Sequence, residues 1–269
     1  MKRSRRLDKV IDIVRSAGEI AMGHFGLVRA TLKEDTSLVT RADVETGQFI
    51  SRRLGEEFPG YNIINEETCT TLDRIPGPDE YTWVVDPIDG TSSYTRRMPT
   101  WTVAVGLMKG MEPVMGVNYI PVLDELYYSD MDTDPIFETP RWGRIPMDLS
   151  HCREPIGKES LLCTVSYFHR RLDLVYPGKV RSMGSTIAHM CYVARGDAVA
   201  AIVKGALWDI VPAWAILKKI GCQARYLDGS AMELNQLMNG QLSRDFIVIS
   251  CPDKVEYLLK NLTARPPRH

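Results

Sequence analysis

The chain has 269 residues, 44% of them hydrophobic and 25% charged, a globular composition that suits one large domain or two packed lobes. A net charge of −1 gives no electrostatic case for nucleic acid or an anionic membrane surface, and no apolar run approaches the roughly 20 residues of a membrane span. Asp8, Asp12 and Arg15 interrupt any secretory core in the basic start, so a cytoplasmic location with reduced thiols is expected; six cysteines without a CxxC pair argue against a zinc site.

In chain order, Leu7, Val10, Ile11, Val14, Ala17 and Ala21 follow helical spacing and predict a first amphipathic helix. The polar connector KEDTSLVTRAD leads to a second helix over 43–54, closed by FPG. Apolar runs at 62–64, 81–85, 102–108, 113–119 and 125–128 read as strands. The stretch 131–158 is poor in periodicity and rich in Pro, Asp and Arg, and marks the expected junction between lobes 1–135 and 136–269 of one compact unit. Beyond it come a strand at 161–165, a helix at 185–194, a strand at 198–203 and a helix at 209–220. Strands at 223–226 and 246–249 and a helix from Pro252 follow, and the tail ARPPRH is expected to fray. Strands set between helices argue a layered α/β or α+β fold.

Acids fall at the ends of these elements. They are Asp43 in LVTRAD, Glu66 and Glu67 in INEET, Asp86 and Asp89 in DPIDGT, and Asp209 in LWDIVP. Read singly, each has a plain explanation: a solvated pair for Glu66-Glu67, an Asp-Gly turn for Asp89-Gly90, a helix cap for Asp209 with Pro212 in the first turn. Together they can meet at one rim of a sheet. Crowded carboxylates repel, and a hard divalent cation such as Mg²⁺ relieves the repulsion. Pro87 is expected to rigidify a turn, so that Asp86 and Asp89 point into one pocket and the Ile88 carbonyl is left free to coordinate. Asp89, Gly90, Thr91 and Ser92 would then present amides at a helix start, an anion site suited to phosphate. Metal acids beside a phosphate cradle make a metal-assisted phosphatase. The histidines show no partner at suggestive spacing and are given core or surface roles.

WVVDPIDGTSSY resembles the first signature of the inositol monophosphatase superfamily, and LWDIVPAWAILKKIGC resembles the second. LVTRAD, FPGYNIINEET, GVNYIPVLDELYYS and VRSMGSTIAHMCYVARGDAVA fit between and around them in order, so the likeness spans about residues 7 to 260. The resemblance implies a five-layer α/β/α/β/α sandwich and Mg²⁺-dependent hydrolysis of a small phosphomonoester, commonly by a homodimer and often with Li⁺ inhibition. It implies that Glu66, Asp86 and the Ile88 carbonyl hold one Mg²⁺, that Asp86, Asp89 and Asp209 hold a second, and that Glu66 borders a third. Thr91, oriented by Asp43, would activate the attacking water with Glu66, and the Gly90 and Thr91 amides would grip the phosphate.

Some positions depart from the family pattern. Ser93 stands for a usual Asn, Ser37 for a common Asp before Leu-Val-Thr, and Asn65 for a usual Gly before Glu66. The Gly-x-Gly-Ala segment expected after the central hairpin is replaced by SDMDTDPIFETPRWGRIP. AAIVKGALWD carries Lys204 where inositol phosphatases place an acid, which favours a second anionic group on the substrate. Arg181 and Ser185 are expected to border the substrate. Fructose-1,6-bisphosphatase-like, nucleotide 3′-phosphatase and histidinol phosphatase activities are therefore alternatives, and a non-catalytic metal-binding scaffold is an alternative of another class.

Overall fold

The computed structural model describes residues 3–27, 31–32, 38–68, 74–150 and 154–265. Ser37, Cys69, His151, Cys152 and the last four residues lie outside them. The helices are α1 (Arg5–His24), α2 (Arg41–Glu57), α3 (Thr91–Thr95), α4 (Phe168–Arg171), α5 (Thr186–Arg195), α6 (Leu207–Lys219) and α7 (Pro252–Asn261). Strands β1 (Thr31–Leu32) and β2 (Leu38–Val39) form a short antiparallel ribbon. Seven strands then build one sheet in sequence order: β3 (Asn62–Asn65), β4 (Tyr81–Asp89), β5 (Thr102–Lys109), β6 (Glu112–Ile120), β7 (Glu125–Ser129), β8 (Ile136–Thr139) and β9 (Gly143–Pro146). After β10 (Leu161–Thr164) come β11 (Leu172–Leu174), β12 (Lys179–Arg181), β13 (Ala200–Val203), β14 (Gln223–Tyr226), β15 (Ile247–Ser250) and β16 (Leu262–Ala264). The second sheet runs β12-β10-β13-β15-β14, and β11 pairs with β16.

Three apolar cores separate five layers. Leu7, Val10, Val14 and Ala17 of α1, with Ile50 and Leu54 of α2, pack on Trp83, Val85, Val105 and Val117 on one face of the first sheet. α5 and α6 fill the space between the sheets, where Ile187, Met190, Ile210, Val211 and Leu217 meet Val84, Ala104, Ala201 and Ile249. The outer face of the second sheet takes Val255 and Leu258 of α7. The order is the expected α/β/α/β/α sandwich. Because α6 has a sheet on each side, Ile210 through Leu217 are all buried, and its sequence is continuously apolar instead of amphipathic.

Several boundaries differ from expectation. β8 and β9 pair onto the far edge of the first sheet, so strand structure continues through residue 146, inside the stretch 131–158 whose sequence lacks periodicity. All of β9 is exposed, and an exposed edge strand has no reason to alternate. α6 begins at Leu207, which puts Pro212 inside the helix; its missing N–H leaves the Trp208 carbonyl without that donor, while Asn118 donates to the Pro212 carbonyl at 3.2 Å. Of the stretch expected to fray, Ala264 ends β16 and the Arg265 amide bonds to the Arg171 carbonyl at 2.8 Å, and the remainder lies outside the described residues. Cys163, Cys191 and Cys222 are free and buried, but Cys251 is disulfide-bonded, contrary to the reading of uniformly reduced thiols.

Candidate metal centre

The acids meet because of register. β3 runs parallel to β4 with Asn65 opposite Val85, so Glu66 leaves its strand level with Asp86. Asn65 holds that exit in place: its buried amide donates to the Gly47 carbonyl (3.0 Å) and Ser51 Oγ (2.8 Å), and its Oδ1 accepts from the Glu67 amide (3.0 Å). Along β4, Asp86 pairs with Ala104 and Asp89 with Thr102, three residues against two. The extra residue is a β-bulge. Three residues apart on a regular strand would face opposite ways, but opposite Ala104 and Thr102 the two aspartates share a face. Pro87 sits in this bulge, where a strand tolerates a proline, instead of in a turn.

Helix starts supply the other acids. Thr40 caps α2, and Asp43 closes a capping box by accepting from the Thr40 amide at 2.8 Å. Asp209 is the third residue of α6, not its cap, and accepts from the Ala206 amide at 2.7 Å. Asp89 in turn caps α5 from outside, accepting from the Ile187 amide (2.6 Å), the Thr186 amide (3.2 Å) and the Ser185 hydroxyl. Three helix N-termini therefore face carboxylates, two buried (Asp43 and Asp89) and one half-buried (Asp209), the end at which a helix favours negative charge.

Oxygens of Asp86, Asp89 and Asp209 lie within 4.8 Å of one another. Burial raises the Asp86 carboxyl well above its ordinary range, and the charges of Glu66, Asp89 and Asp209 push it further. Asp209 is raised by burial, then by Asp89 and Glu66. Asp89 and Asp43 are also raised by burial, but hydrogen bonds pull both back, chiefly from Ser185 to Asp89 and from Thr40 to Asp43. Both oxygens of Asp86 are buried without a hydrogen-bond partner. A fully buried carboxylate with two orphaned oxygens between two more acids is costly unless a cation shares it. The donors are all oxygen, which fits Mg²⁺ and not a thiolate-seeking metal.

The Thr91 hydroxyl lies 3.0 Å from Asp43 Oδ1 and 3.2 Å from the Ile88 carbonyl, and its one proton serves either. Gly90 precedes α3 at φ 91°, and its carbonyl takes the first helical bonds from Ser93 (2.8 Å) and Tyr94 (2.9 Å). The amides ahead of Ser93 stand at the helix start, outside its ladder.

The expected substrate residues are placed less uniformly. Ser185 is buried and its hydroxyl is taken up by Asp89 and by Thr102 at 2.7 Å. Arg181 ends β12, exposed, and donates to the Val180 carbonyl at 2.9 Å. Lys204 follows β13, half-buried, with its ammonium 5.6 Å from the Phe246 ring centre. Of the histidines, His24 pairs with Glu45 (2.6 Å) on the surface, while His189 is buried, accepts from the Met183 amide (2.8 Å) and is held down to about 4 by burial. Thr102 carried no sequence signal, since a threonine inside a strand is ordinary. Ser185 could be read as a helix cap, but not as a partner of Asp89.

The model of the inositol monophosphatase family matches residues 4–254. Inositol monophosphatase 3 of Solanum lycopersicum is 30% identical over 230 residues, covering 80% of this chain and 83% of that protein. A fructose-1,6-bisphosphatase/inositol-1-monophosphatase of Aquifex aeolicus is 27% identical over 232 residues, covering 80% and 84%. Among solved structures, the Thermotoga maritima IMPase superposes with a TM-score of 0.77 over 96% of this chain and 97% of that one, at 22% identity.

Proposed function

This chain belongs to the inositol monophosphatase family of Mg²⁺-dependent phosphomonoesterases, and from that premise we propose that it hydrolyses a small inositol-phosphate-like monoester at the acids around Asp86. The observation that carries the proposal is the pair of orphaned, buried Asp86 oxygens beside Asp89 and Asp209. Asp86, Asp89, Asp209, Glu66 and the Ile88 carbonyl are the groups that would hold two or three Mg²⁺. Bound there, Mg²⁺ supplies charge neutralisation for phosphoryl oxygens and makes water a nucleophile near neutral pH.

The residues' own parts follow from their bonding. With its proton on Asp43, the Thr91 oxygen offers a lone pair to a water and orients it, and Glu66 stands ready to take a proton from that water. The Gly90 and Thr91 amides, at the start of α3, hold the phosphate against the acids. Asp89, fixed by the Ser185 hydroxyl and the Thr186 and Ile187 amides, cannot swing away when phosphate arrives. No covalent enzyme nucleophile is needed. The same reading has Li⁺ inhibition, a homodimer and a cytoplasmic location as corollaries; no described helix is long and apolar enough to cross a membrane.

The test is phosphate release with Mg²⁺, with EDTA, and with Li⁺. The panel holds inositol-1-phosphate, fructose-1,6-bisphosphate, 3′-phosphoadenosine 5′-phosphate, histidinol phosphate and glycerol-2-phosphate. Mg²⁺-dependent, EDTA-abolished release supports the proposal. Mg²⁺ binding without release from any ester overturns it in favour of a scaffold.

A further inference from the structure

The chain enters α5 across the metal centre. Ser182, Met183 and Gly184 lead from β12 to Ser185, which caps the helix and donates to Asp89. A Cβ on Gly184 would lie 1.8 Å from Ser93 Oγ, and one on Gly90 would lie 2.7 Å from the Gly184 carbonyl. This strap therefore rests on the start of α3. It meets the acid through Ser185 and the phosphate turn through Gly184.

Two bonds pin the strap, and both fall on Met183. The Thr100 hydroxyl donates to its carbonyl, and His189 Nε2 accepts from its amide at 2.8 Å. With Ser185 as the cap, His189 stands at the fourth position of α5. An apolar contact from that position to the residue before the cap commonly fixes how a chain enters a helix. Here the residue before the cap is Gly184, at φ 93°, with no side chain to offer. The hydrogen bond to Met183 does that work instead.

The bond is kept at a cost. His189 is buried, its Nδ1 has no hydrogen-bond partner, and burial holds the ring down to about 4. The ring is therefore neutral at neutral pH. Because Nε2 accepts, Nδ1 carries the proton and is left as an orphaned donor, a penalty that an apolar residue would avoid. What an apolar residue cannot do is aim the Met183 amide. Aim matters two residues on, where the Ser185 hydroxyl must reach Asp89 and Thr102 together. Resting on the metal-dependent reading of this site, we propose that His189 is a positioning residue for the metal centre: its Nε2 sets the strap 182–185 and, through Ser185, the orientation of Asp89 toward the cation. The ring itself bonds to none of the acids.

Two variants test it. His189→Leu keeps the apolar bulk and removes the acceptor, while His189→Gln places a carbonyl oxygen near the position of Nε2. Calorimetric titration with Mg²⁺ alone should show Kd raised about fivefold or more in His189→Leu, the weight of one net hydrogen bond. In His189→Gln it should change by less than about twofold on the same scale. The Mg²⁺ concentration for half-maximal phosphate release should move in parallel, with kcat kept at saturating Mg²⁺. A clip that serves only the fold would lower the melting temperature in EDTA and leave Kd alone. An unchanged Kd in His189→Leu, or an equal rise in His189→Gln, overturns the proposal. Should His189→Leu fail to fold, Thr100→Val takes its place, since it frees Met183 from the other side; a raised Kd supports the proposal and an unchanged one overturns it. If wild-type protein binds Mg²⁺ but releases phosphate from no ester, the phosphatase reading has failed, and the calorimetry still decides the role of His189. Wild-type protein that binds no Mg²⁺ overturns the metal centre and this role with it.

Discussion

The Ser185 hydroxyl donates to Asp89 Oδ2, tying the cap of α5 to the last residue of β4. The same hydroxyl accepts from the Ala188 amide at 2.9 Å and lies 2.7 Å from Thr102 Oγ1, which is 3.4 Å from Asp89. The proton order Thr102 to Ser185 to Asp89 satisfies all three. Ser185→Ala removes a helix cap and a donor to Asp89 and leaves Thr102 with the longer bond alone, so stability should fall by about 1–2 kcal/mol. Losing the donor that most lowers the Asp89 carboxyl should also raise the Mg²⁺ concentration for half-maximal activity by several fold, with kcat kept at saturation. Urea denaturation and a Mg²⁺ titration check this. An unchanged Mg²⁺ midpoint would leave Ser185 with a folding role only.

Asp89→Asn keeps an acceptor for the α5 amides and removes the charge. Turnover should drop on the order of a thousandfold, the scale of losing a key electrostatic group, while the melting temperature stays within a few degrees. Steady-state phosphate release and thermal melts measure the two effects. Retained activity would mean that Asp89 serves α5 and not the ions.

Asp86→Asn should stabilise the metal-free protein. A carboxyl whose folded pKa lies above its ordinary 3.8 takes up a proton on folding. Its favourable contribution is complete below the ordinary pKa and is lost as pH rises through the raised value, so at neutral pH without metal the ionised group is a burden. In EDTA at pH 7 the variant should melt higher, by about 2–4 °C for each kcal/mol of repulsion relieved. Mg²⁺ should raise the wild-type melting temperature and leave that of the variant nearly unmoved. A variant that melts lower in EDTA would show that Asp86 is held by something other than a cation.

Much of this site was legible because its residues are bunched in short segments. The α1 stripe, the strands and the two acidic signatures all follow local periodicity or spacing. The spacing of Asp86 and Asp89 points to one pocket but not to the device that builds it: Pro87 suggests a turn, and only pairing with Ala104 and Thr102 reveals a bulge. Ser185 and Asp89 stand 96 residues apart, and nothing in either segment announces the other. β9 gives no sequence signal because an exposed edge strand needs no buried alternation, and β8, paired on both sides, is only four residues long; the bonds of Arg265 run to Arg171 and His169, far away in the sequence. α6 begins two residues before Asp209, and its apolar run has no polar cap to mark the entry at Ala206.

Gly90 should tolerate no side chain. It sits at φ 91°, and a Cβ there would lie 2.7 Å from the Gly184 carbonyl and 3.2 Å from the Ser185 Cβ. Left-handed backbone alone costs alanine about 1–2 kcal/mol, and overpacking against fixed backbone adds about 1–3 kcal/mol. Gly60 supplies the control, with φ 88° and nothing within 4 Å of its Cβ position. Gly60→Ala should therefore show the backbone cost alone, and Gly90→Ala roughly twice that loss in urea denaturation. Because the displaced Gly184-Ser185 segment carries the donor to Asp89, Gly90→Ala should also need more Mg²⁺ for half-maximal activity, which Gly60→Ala should not. Equal stability losses in the two variants would mean that Gly184 and Ser185 yield freely, and that the clamp on Asp89 is softer than its hydrogen bonds imply.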